Sequence, residues 1–194
     1  MRNNILTIAL VLLSVTLTAQ GVFSNKTQSI LEKVIQDYPN HFYNIKGELI
    51  SQEHQTAEYR STLQLPGSPS CIVVLMGGKG VTAGSEGYSW TCTVLDSESF
   101  EVARARYHEI YGQLSNSIIT SSSQKTFILS GVYEDPAQEK KCTRVVFSLL
   151  PAVGDMKRLK VGLSLHQAGN RWKICLSVND RDNPDESEGA VTVN

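Results

Sequence analysis

The chain has 194 residues, with 18 Lys and Arg against 19 Asp and Glu and a formal net charge of −1. Hydrophobic residues make up 41% and charged residues 19%, which is typical of a folded globular protein. These values exclude a collagen-like fibre, a disordered chain and a protein built of many membrane spans. The length suits one domain, or two small ones, with a substantial buried core.

The N-terminus predicts export. One positive charge, Arg2, precedes an uncharged, largely apolar run from Ile5 to Ala19, which is shorter than the roughly 20 residues that a membrane span needs. A small-x-small pattern follows at residues 19–21. We therefore predict a signal peptide over residues 1–21 and a periplasmic or extracellular mature chain without a membrane span. The alternative is an N-terminal anchor helix.

Two amphipathic helices are predicted from apolar residues at helical spacing. The first covers Ser29–Tyr38, with a capping box of Ser29 and Glu32 at its start and Pro39 at its end. The second begins after a cap at Asp96-Ser97. The stripe of the second helix that would face the core consists of Phe100, Ala103, Tyr107, Ile110 and Leu114.

Eight strands are predicted, and the last ones alternate apolar and polar residues with a period of two. Such alternation indicates an antiparallel sheet with one covered and one wetter face. A Gly-rich connection, residues 77–80 with Gly84 and Gly87, separates the third strand from the fourth. The predicted strands are Phe42–Ile50, Glu58–Leu65, Cys71–Met76, Tyr88–Leu95, Thr126–Tyr133, Cys142–Leu150, Leu159–His166 and Arg171–Val178.

The element order predicts an α+β fold in which an antiparallel sheet carries both helices on one face. Residues 22–99 and 100–179 each hold one helix and four strands, so a tandem repeat is one interpretation and a single α+β domain is the other. Acidic residues dominate positions 180–194, which predicts a disordered tail. We expect the buried residues to include Trp90, Val94, Phe127, Leu163, Trp172 and Ile174.

Four cysteines, Cys71, Cys92, Cys142 and Cys175, form the even set expected of an exported chain with two disulfides. Their gaps of 21, 50 and 33 residues lack the close pairs of a zinc site, so no metal site is predicted. A hairpin around the Gly-rich connection favours Cys71–Cys92. Cys142 and Cys175 lie at polar positions of their strands, which favours a second bridge between them. Buried thiols are the alternative.

The sequence contains no recognisable catalytic motif. Its histidines, including His166, form none of the paired spacings of metal enzymes, and no G-x-S-x-G pentapeptide is present. Residues 77–80 lack the helix and the hydroxyl residue of a phosphate-binding loop. We therefore predict no catalytic residues and no cofactor, although a site gathered from distant residues stays possible in principle.

The second half of the chain is basic, with 11 basic and 6 acidic residues between Phe100 and Asn179. Arg144, Lys160 and Lys173 occupy polar positions of their strands, as does His166. Together they predict a binding face for an anionic partner, either an unknown protein or an anionic glycan or envelope component. A solubilising surface is the alternative. Nucleic acid is not expected of an exported chain without interleaved aromatic and basic residues.

The function predicted from these observations is that of an exported, non-catalytic binding module that uses a sheet face. The alternatives are an exported hydrolase with a site assembled from residues distant in sequence, and a structural subunit of an envelope assembly. A deep cleft with converging ionisable groups would favour the hydrolase, whereas a broad and shallow sheet face would favour binding.

Overall fold

The computed structural model describes residues 18–77 and 87–180 of the chain. The predicted signal peptide, residues 1–21, falls almost entirely on residues outside this description. Most of the Gly-rich connection and the acidic tail after Asp180 also lie outside it. Within the described residues, no helix is both long and apolar enough to cross a membrane.

The described residues form two α-helices and nine β-strands. Helix α1 spans Thr18–Asp37 and continues into a short 3₁₀ turn, and α2 spans Phe100–Ser115. The strands are β1 (Lys46–Glu53), β2 (Thr56–Ser61), β3 (Ser70–Met76), β4 (Gly87–Ser97), β5 (Ile118–Thr120), β6 (Thr126–Ser130), β7 (Cys142–Leu150), β8 (Lys160–Ala168) and β9 (Arg171–Asn179).

All nine strands belong to one antiparallel sheet in the order β1-β2-β3-β4-β9-β8-β7-β6-β5. Helix α2 packs on β4, β6, β8 and β9, and α1 packs on α2 and β5, so the predicted α+β fold is confirmed. The last strands of the two predicted halves, β4 and β9, are neighbours at the centre of the sheet. An origin by duplication stays a prediction.

Helix α2 confirms the predicted apolar stripe, because all five of its members are buried. Its cap lies further along the chain than predicted. The Ser99 hydroxyl accepts a hydrogen bond from the Val102 amide, which satisfies one of the donors left at a helix start. Asp96 and Ser97 belong to the end of β4 instead, since that strand continues to Ser97.

Helix α1 begins before Ser29, so the predicted start of the first helix is wrong. Ser29 is an exposed residue inside the helix. The Glu32 carboxylate accepts a hydrogen bond from the Thr120 amide rather than turning back to the helix start. The long-range contact therefore replaces the local capping box. Pro39 lies within the 3₁₀ turn, as expected near a helix end.

Several strand predictions also need correction. The strands predicted over Glu58–Leu65 and Thr126–Tyr133 end earlier, at Ser61 and Ser130. The strand predicted from Phe42 begins only at Lys46, because His41 and Phe42 have left-handed φ angles of 55° and 60° and form a turn. The short strand β5 was not predicted at all. Val94 is only partly buried, since a bulge between Thr93 and Leu95 interrupts the alternation of β4. The other residues predicted to be buried are confirmed, namely Trp90, Phe127, Leu163, Trp172 and Ile174.

The cysteines divide into one bridged pair and one unbridged pair. Cys71 and Cys92 are direct partners on β3 and β4, and the structure joins them by the predicted disulfide. The predicted Cys142–Cys175 bridge is wrong. The two residues lie on β7 and β9, and β8 separates these strands. Two strand spacings come to roughly 9.5 Å, which exceeds the Cα separation of about 4.4–6.8 Å that a disulfide spans.

Candidate functional site

The surface of the sheet that faces away from the helices is called here the open face. Its residues alternate with buried core residues: Val145, Val161 and Ile174 are buried, and their chain neighbours point the other way. The members of this face in the three strands β7, β8 and β9 include Arg144, Ser148, Lys160, Gly162, Ser164, His166, Lys173, Cys175 and Ser177.

The structure brings the predicted binding residues to this face but spreads them along it. Lys173 of β9 lies directly opposite His166 of β8. Arg144 of β7 lies opposite Ser164, two positions before His166. Lys160 is six residues from His166, which corresponds to about 20 Å along a strand. The four side chains therefore form an extended surface rather than one pocket.

The contacts of Lys160 and Lys173 on the open face are as follows. The Lys160 Nζ donates to Ser148 Oγ at 2.9 Å. The Lys173 Nζ lies 3.9 Å from Asp96 Oδ2, while Arg171 Nε holds the same carboxylate at 2.5 Å. Because Arg171 takes the shorter contact, the Lys173 ammonium is only weakly paired. The sequence did not predict Asp96 as a site residue, because Asp96 comes close to Lys173 only through the pairing of β4 with β9.

The Arg144 side chain lies next to Gly162 of β8. A Cβ atom on Gly162 would lie 3.5 Å from the Arg144 Nη2 and 2.6 Å from the Ser177 Oγ. The guanidinium and the hydroxyl therefore occupy the space above Gly162, which a side chain would fill. The absence of a Cβ on β8 thus allows groups from β7 and β9 to approach each other over it.

Hydroxyl and amide groups lie between the cations of the open face, together with Val146 and Gly162. Ser177 and Asn179 are buried on this side of β9, and no described residue forms a hydrogen bond with the Asn179 Oδ1. Neighbouring strands add further groups of the same kind, so the face offers hydrogen-bonding side chains next to positive charge. The hydroxyl residues of β4 on this face are Ser89, Thr91 and Thr93.

Cys142 and His166 are direct partners across β7 and β8, which places a thiol beside an imidazole. Burial raises the pKa of the Cys142 thiol, and the positive charge of Arg144 opposes this effect without reversing it. A thiol with a raised pKa is a poor nucleophile, because the thiolate is the reactive form. Among residues 18–77 and 87–180, no group of three or more His, Cys, Asp or Glu could hold a metal ion.

Two shallow cavities lie near the edge of the sheet that is opposite β5, next to β1 and β2. One, of about 590 Å³, is lined by Ile30, Gly47 and Arg60 among others. The second, of about 760 Å³, includes Ser51, His54 and Glu58, the residue types of a hydrolase triad. The Ser51 hydroxyl, however, donates directly to Glu58 Oε2 at 3.1 Å. The hydroxyl is therefore paired with the carboxylate and not with the imidazole that would have to deprotonate it.

No protein-family model matches the chain, and no curated protein or solved structure matches it either.

Proposed function

We propose that this protein is an exported, non-catalytic binding module that holds an anionic partner against the open face of its sheet. One observation carries the proposal: Arg144, Lys160 and Lys173 lie on three neighbouring strands and on the face opposite the helices. A basic surface of this kind attracts anionic groups and orients the partner at short range. The partner is a protein, a glycan or another component of the envelope.

The disulfide between Cys71 and Cys92 supports the exported part of the proposal. Such bonds persist in oxidising compartments such as the periplasm and the extracellular space, and they are rare in the cytosol. The signal-peptide pattern of residues 1–21 points in the same direction.

The shape of the face supports binding over catalysis. A catalytic site holds its acid, base and nucleophile within hydrogen-bond reach of one reacting atom. The cations of the open face extend over about 20 Å instead. Two groups that a hydrolase could use as a nucleophile are poorly suited to that role, because the Cys142 thiol has a raised pKa and the Ser51 hydroxyl is bound to a carboxylate.

The test is a reversal of the three charges. A variant with Arg144→Glu, Lys160→Glu and Lys173→Glu is applied to an immobilised sulfated polysaccharide and to immobilised polyglutamate, and its elution is followed over a salt gradient. We expect the variant to elute at much lower salt than the wild type and to lose the salt dependence, since exposed charges act through a screened field.

The matched control alters the net charge by the same amount, but on the helices. Its substitutions are Lys26→Glu, Lys33→Glu and Arg106→Glu. If the open face binds, the control keeps most of the wild-type retention. Equal losses in the two triple variants would show that only net charge matters, and unchanged retention of the open-face variant would assign these residues to a solubilising role.

A further inference from the structure

Three exposed aliphatic side chains lie side by side at one corner of the open face. Ile118, Ile128 and Leu150 are direct partners across β5, β6 and β7, and their exposed fractions are 56%, 51% and 42%. Their chain neighbours Ile119 and Leu149 are buried, as is Phe127, so the three side chains point away from the core. We call Ile118, Ile128 and Leu150 the apolar row. A contiguous exposed group of this kind marks an interaction surface more often than scattered apolar residues do.

The apolar row is continuous with the basic part of the open face. Leu150 is two positions from Ser148, whose hydroxyl accepts the hydrogen bond from Lys160. The exposed Lys125 lies in the turn between β5 and β6, and the exposed Lys157 follows β7. The segment from Asn116 to Tyr133 contains no Asp or Glu. The turn that holds Lys157 also contains Asp155, so Lys125, Lys157 and Lys160 give the elements next to the apolar row a net positive charge.

The backbone of β5 is not available to a partner strand, because side chains of α1 occupy its outer edge. The Gln28 Nε2 donates to the Ile118 carbonyl at 3.0 Å, and the Gln36 Nε2 donates to the Thr120 carbonyl at 2.8 Å. Between them, the Glu32 Oε1 accepts from the Thr120 amide at 2.7 Å. Since these backbone groups are satisfied, a partner at this corner must contact side chains rather than extend the sheet.

We propose that this corner docks on the surface of an anionic lipid bilayer. The apolar row enters the boundary between headgroups and acyl chains, and Lys125, Lys157 and Lys160 contact the anionic headgroups. The proposal rests on the proposed function, because it assigns the anionic partner of the open face to a lipid surface.

The residue types favour a lipid surface over a protein partner. Protein interfaces are enriched in aromatic residues, Met and Arg and depleted in Lys, and Leu and Val are uncommon among their strongest contacts. The corner has the opposite character, with aliphatic side chains and lysines. Interfacial amphipathic helices bind anionic membranes through apolar side chains beside lysines, and each lysine near the headgroups adds attraction. The corner offers the same combination of side chains on a sheet.

The experiment measures sedimentation of the protein, purified after export, with vesicles of phosphatidylcholine alone or with added phosphatidylglycerol. We expect binding only to the anionic vesicles. The variant Ile118→Ser with Ile128→Ser should bind about tenfold more weakly, because less apolar surface leaves water. The variant Lys125→Glu with Lys157→Glu should lose at least about tenfold, since two attractive charges become repulsive.

Matched controls lie elsewhere on the surface. Leu49 and Val102 are as exposed as the apolar row, and Lys26 and Lys33 lie on α1. Serine at the first two positions and glutamate at the other two should leave vesicle binding close to that of the wild type. Circular dichroism and thermal unfolding of each variant separate a loss of binding from a loss of fold.

The outcomes distinguish this inference from the proposed function. Retention on the anionic polymers without binding to vesicles overturns the lipid inference and leaves the binding module standing. Vesicle binding that needs the apolar row, Lys125 and Lys157 but survives reversal of Arg144 and Lys173 supports the lipid corner and overturns the wider basic face. Equal binding to neutral and anionic vesicles overturns the inference, and so does wild-type binding by the apolar-row variant. An acidic protein that covers the apolar row in the native complex also overturns it.

Discussion

The two halves of the sheet carry two cysteines each, yet only the first half joins them. Cys71 and Cys92 lie on β3 and β4, which are neighbours both in sequence and in the sheet. Cys142 and Cys175 lie on β7 and β9, and β8 runs between those strands. The comparison teaches that two cysteines in the strands of one half need not be neighbours, because the strand order decides which side chains meet.

The halves also differ in how their edges are protected. Helix α1 belongs to the first half, but its side chains satisfy the edge of β5 in the second half across sequence separations of 84–90 residues. Near β1, the same helix contributes Ile30 to an open cavity. The hydrogen bonds between α1 and β5 therefore cap that edge of the sheet and tie the two halves together.

The largest expected effect separates the two cysteine pairs. Replacing Cys71 and Cys92 by alanine should lower the free energy of unfolding by about 3 kcal/mol, because the unfolded chain loses a cross-link over some 20 residues. Replacing Cys142 and Cys175 by alanine removes no bridge and should cost less than about 1 kcal/mol. Urea denaturation under oxidising conditions measures both. Similar losses in the two double variants would show that the halves are stabilised alike.

A smaller effect is expected at Gly162 of β8. Its replacement by alanine places a Cβ atom 2.6 Å from the Ser177 Oγ and close to the Arg144 guanidinium. Such overpacking should lower the free energy of unfolding by about 1–3 kcal/mol. Gly112 of α2 serves as the control, since a Cβ there meets nothing within 4 Å, and alanine should stabilise the helix by about 0.5–1 kcal/mol. A neutral Gly162→Ala variant would mean that the side chains above β8 rearrange freely.

The smallest effect concerns the protected edge of β5. Glu32→Ala leaves the Thr120 amide without its acceptor and should lower the free energy of unfolding by about 1 kcal/mol. Hydrogen exchange of the Thr120 amide should become faster at the same time. Lys33→Ala, one position along α1, is the control and should change neither quantity. Unchanged exchange at Thr120 in the Glu32 variant would show that the edge is protected by other contacts.

Part of the candidate site could be predicted from the sequence. The alternation of β7, β8 and β9 is a local pattern, so the common face of Arg144, Lys160 and Lys173 follows from it without any knowledge of strand order. The approach of Asp96 to Lys173 needs the pairing of β4 with β9, and the apolar row needs a strand of only three residues. A strand this short gives too few residues to show a period, so β5 was not predicted.

By itself, the sequence determined those features that repeat within a few residues. The stripe of α2, the two faces of the later strands and the α+β class all depend on a local period combined with burial of the apolar side. The tertiary structure alone decided which strands are neighbours, where β5 lies and which cysteines meet. These features depend on contacts between residues far apart in the chain, such as those of Gln28 with Ile118 and Glu32 with Thr120. A local pattern carries no information about such contacts, because their free energy exists only after the sheet has assembled around the helices.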